Sequence, residues 1–95
     1  MTISNAAAAD RADMIREIGK ATRFSAFMRY SPFDKRIAYF EVEGGDQRAA
    51  YAAARAKLDE FEAASAFPKR GLIYAINGIG SFSLDADLAS EAGLI

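Results

Sequence analysis

The stretch R-F-S-A-F-M-R-Y-S-P-F-D-K-R-I-A-Y-F-E-V-E, residues 23–43, alternates twice between apolar and polar positions, and its reading decides the fold. Over 23–30, Phe24, Ala26, Met28 and Tyr30 fall on one side of an extended chain and Arg23, Ser25, Phe27 and Arg29 on the other. Successive side chains of a strand point to opposite faces, so this pattern predicts a strand with one face in a core. The segment S-P-F-D-K breaks the alternation as a loop. After it, Ala38, Phe40 and Val42 alternate against Ile37, Tyr39, Glu41 and Glu43, which predicts a second strand over 36–43 and hence a hairpin. Placing Tyr30 opposite Arg36 keeps the apolar rows together, with Met28 facing Ala38, Ala26 facing Phe40 and Phe24 facing Val42. The same register pairs Phe27 with Tyr39 and Arg23 with Glu43, contacts worth roughly 0.2 to 1 kcal/mol each.

Helices flank this hairpin. From Ser4 or Asn5 as N-cap, a run rich in alanine carries Ala8, Arg11, Ile15 and Ile18 at helical spacing and stops at Gly19, giving a helix over 5–18. Gly44 and Gly45 end the hairpin. Asp46 caps a helix over 46–65, whose seam of Tyr51, Ala54, Leu58 and Phe61 covers the sheet while Arg48, Arg55, Asp59 and Glu62 face solvent. Pro68 prevents the helix from continuing. Residues 71–76 and 80–85 read as a second hairpin, turning at Asn77-Gly78 or over N-G-I-G, with Ile73, Ala75, Phe82 and Leu84 on one side and Tyr74, Ile76, Ser81 and Ser83 on the other. The tail, 86–95, forms a short helix ending before Gly93, with Leu94 folded back.

The order α-β-β-α-β-β predicts one α+β domain over 1–95, a four-stranded antiparallel sheet with its helices on one face. A permuted ferredoxin-like arrangement satisfies it, with strand 80–85 lying between strands 71–76 and 36–43.

Composition narrows the function. The 95 residues are 52% hydrophobic and 26% charged, enough for a core but with little to spare for a deep cavity, so binding is expected at the surface. The chain has neither cysteine nor histidine, which removes thiolate chemistry, the usual general base near neutral pH and the commonest transition-metal ligand. The expectation is therefore no enzyme, no cofactor and no metal; Asp85 and Asp87, like Glu60 and Glu62, read as cap and surface carboxylates. An N-terminus without a basic start or long apolar run, together with the lack of cysteine, predicts a cytoplasmic protein that does not enter a membrane. Twelve basic against thirteen acidic residues leave a net charge of -1, which gives no bulk attraction to polyanions.

R-F-S-A-F-M-R-Y partly resembles the strand signature of the RNA-recognition-motif family: Arg23, Ala26, Phe27 and Tyr30 fit. Phe24 stands where that family has glycine and Ser25 replaces a stacking aromatic, while I-Y-A-I-N of 73–77 resembles the companion signature in the wrong chain order. The likeness covers about a dozen residues and is assigned to strand composition. G-I-G at 78–80 resembles a nucleotide loop, but too little chain follows for a dinucleotide fold, so it is read as a turn.

With the helices on one face, Phe27, Ile37, Tyr39, Tyr74 and Ile76 are expected on the other. The basic segment from Lys20 to Arg36 sets Arg23 and Arg29 at its rim. Three aromatics alone represent roughly 450 to 750 Å² when buried, whereas monomers seldom expose more than about 300 to 600 Å² in one apolar patch. Either a terminal segment covers this face or a partner does. The expected function is a small non-enzymatic interaction module that binds a protein or its own copy there. The format resembles small bacterial and phage proteins, including inhibitors of larger host machines. The alternatives are a nucleic-acid binder using the same arginines and aromatics, or a structural homodimer.

Overall fold

The computed structural model describes residues 2–30, 33–64 and 70–95; of residues 2–9, 30, 33, 34 and 70 it describes the backbone. In chain order these form α1 (Thr2–Ile18), β1 (Arg23–Tyr30), β2 (Phe33–Glu41), α2 (Gln47–Ala64), β3 (Arg70–Asn77), β4 (Gly80–Leu84) and α3 (Ala86–Glu91). The expected ends of the second helix at Ser65 and at Pro68 lie outside the described residues. The first helix begins at Thr2, ahead of the expected caps at Ser4 and Asn5.

The four strands make one antiparallel sheet in the order β2-β1-β3-β4. Both arrangements leave a gap between β2 and β3, bridged by α2; β1 fills it, and the permuted ferredoxin-like order that put β4 there is overturned. The reason lies in what each strand has to hide. β1 is eight residues long with Phe24, Ala26 and Met28 fully buried, so it gains from a neighbour on both sides, whereas the five-residue β4 buries only Leu84 and suits an edge.

The core lies between the sheet and the helices. Phe24, Ala26, Met28, Ile73, Ala75 and Leu84 from the sheet meet Ala50, Tyr51, Ala54 and Leu58 of α2, with Phe24 and Tyr51 edge-to-face at 6.0 Å. Phe61 and Phe40 pack at its margin. Ile18 of α1 and Leu88, Ala89 and Leu94 of the C-terminal segment join the same core. Asp85 caps α3 by accepting from the Leu88 N–H at 2.7 Å. Gly93, at φ 79°, then reverses the chain so that Leu94 N–H reaches Ala89 O at 2.9 Å and its side chain folds back, as the sequence predicts.

The C-terminus of α1 is held by two side chains. Gln47 Nε2 donates to Gly19 O at 2.8 Å and Ala21 O at 3.1 Å, and Asn77 Nδ2 donates to Glu17 O at 2.8 Å. Asn77 also makes the β3–β4 turn, its Oδ1 accepting from the N–H groups of Ile79 at 2.9 Å and Gly80 at 3.2 Å. The turn thus spans N-G-I-G, with Asn77 opposite Gly80.

The first hairpin departs from the expected register. Phe33, Asp34 and Lys35 belong to β2 rather than to a loop, so the pairing slides by two residues: Phe24 faces Phe40 and Ala26 faces Ala38. Beyond Ala26 one extra residue of β2 intervenes, and Phe27 faces Arg36 and Met28 faces Lys35 instead of Ala38. This is a β-bulge at Ile37.

Candidate functional site

Pleating sends the other half of the sheet's side chains away from the helices. Three rows cross this open face, two from β2 to β4 and the third from β2 to β3. The first runs Glu41, Arg23, Ile76, Ser81; the second Tyr39, Ser25, Tyr74, Ser83; the third Arg36, Phe27, Leu72. All three helices contribute to the core on the opposite side, and among the described residues no segment lies across these rows.

Phe27 and Tyr74 interlock edge-to-face, with centroids 5.8 Å apart and planes at 89°. This contact replaces the expected pair of Phe27 and Tyr39. Ser25 is only 3% exposed although it faces outward, because its short side chain lies between Tyr39 and Tyr74 in its row. The small residue lets the two tyrosines project around it. Tyr39 is 43% exposed and carries two arginines: the Arg36 guanidinium lies 3.8 Å from its ring centroid and that of Arg23 lies 5.5 Å away. Arg23 stands opposite Glu41, not Glu43.

Of the expected face residues, Phe27, Tyr74, Ile76 and Arg23 are half-buried there, Tyr39 is the most exposed aromatic, and Arg29 is exposed one pleat beyond Phe27. Ile37 is not on this face: the bulge turns it toward the helices, where it packs against the core. The same extra residue carries Arg36 to the open face, where strict alternation would have put it with Ala38 and Phe40. Arg36 is the main residue that sequence reasoning missed, and no local signal marks the bulge. Leu72 was legible, since it shares the parity of Tyr74. The side chains of Tyr30 and Arg70 lie outside the described residues.

Charge is uneven around this surface. Glu41, Glu43 and Asp46 line an open groove of about 460 Å³ between the end of β2 and the start of α2. Arg29 and Arg36 occupy the other end of the face. On the helices, Arg11 pairs with Glu91, Arg16 with Asp13, Lys20 with Glu17, Arg55 with Asp59 and Lys57 with Glu60. Among the described residues no carboxylate lies within ion-pair distance of Arg23 or Arg36. No group of three carboxylates converges as a metal would require, and no helix is long and apolar enough to cross a membrane, both among the described residues.

The chain matches no protein-family model, no curated protein and no solved structure.

Proposed function

We propose that this chain is a non-enzymatic interaction module that docks a protein through the open face of its sheet, with Phe27, Tyr39 and Tyr74 as anchors and Arg23, Arg29 and Arg36 around them. The observation that carries this reading is the placement of α1, α2 and α3 all on one side, which leaves an aromatic face without an internal cover among the described residues. Aromatic and arginine side chains are the types that contribute most at protein interfaces. The absence of histidine and cysteine weighs against catalysis. A cytoplasmic setting, with a role as inhibitor or accessory to a larger assembly, accords with a cysteine-free chain of this size.

Geometry favours protein over nucleic acid. Base stacking needs an open ring face. Tyr39 has Arg36 against its ring, Phe27 and Tyr74 are locked edge-to-face, and Glu41 stands beside Arg23 where a phosphate would be repelled.

The test is affinity capture from lysate with and without nuclease, comparing the natural chain with Phe27→Ala and Arg29→Ala. The expected result is a stoichiometric protein that survives nuclease and is lost with Phe27→Ala, an anchor worth about 2 kcal/mol or more, while Arg29→Ala mainly slows association. Capture that vanishes with nuclease and depends steeply on salt would sink the reading in favour of nucleic acid. Sedimentation over a concentration series shows whether the partner is a second copy meeting this face around Tyr39 and Tyr74.

A further inference from the structure

We infer that the partner reaches this face with an acidic segment, whose carboxylates engage Arg36 and Arg23 while an apolar side chain packs on Phe27, Leu72 and Tyr74. The inference rests on the reading of the open face as a protein-docking surface and specifies the chemistry of what docks.

Charge complementarity is the first argument. Among the described charged side chains the open face carries Arg23, Arg29 and Arg36 against Glu41, while Glu43 and Asp46 lie in the groove that also borders Tyr39, so the positive charge is concentrated at the Arg29 and Arg36 end. Arg11, Arg16, Arg55 and Lys57 of the helices pair with carboxylates of this chain, whereas Arg23 and Arg36 rest on a ring.

Pre-organisation is the second. A guanidinium held against an aromatic face loses side-chain freedom before any ligand arrives. Its N–H groups lie at the rim of its plane and match a carboxylate as a two-pronged fork. Tyr39 serves both arginines at once, so one ring orients two forks on the same patch.

The bulge is the third. An extra residue at Ile37 interrupts the β1–β2 ladder, yet it is what brings Arg36 to Tyr39. Bulges commonly re-aim a side chain next to a site. A planar carboxylate suits this arrangement because it meets the flat fork of Arg36 in two parallel hydrogen bonds, while Arg36 already covers part of the Tyr39 ring on which a base would stack.

The experiment is selection of random 12-residue peptides displayed on phage against the full-length chain, followed by titration of synthetic winners by fluorescence anisotropy. The expected winners carry two or more Asp or Glu around an aromatic or leucine anchor and shift the NMR signals of Phe27, Tyr39 and Tyr74. Arg36→Glu is expected to weaken them at least about tenfold, equivalent to 1.4 kcal/mol. Arg36→Lys, which keeps the charge and loses the fork, is expected to recover only part of that affinity. Melting curves of both variants, whose changed side chain is exposed, confirm that they fold. Neutral or basic winners that bind the same face and ignore Arg36→Glu overturn this inference and leave the docking face standing. Winners that map elsewhere, or none at all, overturn both. Tighter binding of a random 20-nucleotide single-stranded RNA at Arg23 and Arg36 assigns the clamp to phosphate and overturns the acidic-segment reading.

Discussion

Leu58 of α2 lies directly over the backbone of Gly71 in β3: a Cβ at Gly71 would sit 2.5 Å from Leu58 Cδ2, 2.6 Å from its Cδ1 and 2.5 Å from Glu62 Oε2. The absence of a side chain at 71 is therefore what sets how closely α2 approaches the sheet. It also shows that Glu62 reaches over the strand with Oε2 while its Oε1 stays 3.8 Å from Arg55.

Gly71→Ala is expected to destabilise the chain by roughly 1 to 3 kcal/mol, the usual cost of forcing extra volume into a packed interior. Leu58→Ala alone leaves a cavity and costs about 2 to 5 kcal/mol. The double variant is expected to cost less than the two together, because the new methyl group enters the space that Leu58 vacates. Urea midpoints of the four proteins test this; strict additivity would mean the two residues do not share that space.

Asn77 joins two parts of the fold through one amide, accepting from the β3–β4 turn and donating to Glu17 O at the end of α1. Asn77→Asp keeps the acceptor oxygen and removes the donor, placing a carboxylate beside the Glu17 carbonyl and carboxylate. A loss of about 1 to 3 kcal/mol is expected, since a donor is replaced by a repelled acceptor. Chemical denaturation at neutral pH measures it, and no loss would show that water serves the end of α1 equally well.

The reassignment of Ile37 separates stability from binding. Ile37→Ala is expected to lower stability by roughly 1 kcal/mol, as for a half-buried aliphatic side chain, and to leave partner or peptide affinity unchanged. Weakened binding at unchanged stability would return Ile37 to the open face.

The exposed pair of Arg11 and Glu91 ties α1 to α3, with Arg11 Nε donating to Glu91 Oε2 at 2.8 Å. That hydrogen bond holds the Glu91 carboxyl below the ordinary glutamate range. A carboxyl depressed on folding contributes stability above its unfolded pKa and loses it as pH falls through the folded value. NMR titration of the Glu91 carboxyl carbon is expected to show a midpoint below that of an ordinary exposed glutamate, restored to the usual range by Arg11→Gln. An unchanged midpoint would mean the tether does not persist in solution.

The sequence by itself determined the elements and, outside the bulged stretch of β2, their faces. Apolar residues two apart in strands and three or four apart in α2 leave one way to hide each element, so β1, the α2 seam, Asp85 as a cap and the Leu94 fold-back were all legible from residue spacing. What alternation cannot resolve is a slide by an even number of residues, which keeps Phe24, Ala26 and Met28 in the core whether Ala38 faces Met28 or Ala26. The tertiary structure decided that register, the bulge that exchanges Arg36 for Ile37, and the choice of β1 to fill the gap between β2 and β3. These depend on how α2 settles over Gly71 and on which strand has the most apolar surface to enclose between two neighbours. Both are properties of packing between distant segments, and neither leaves a periodic mark along the chain.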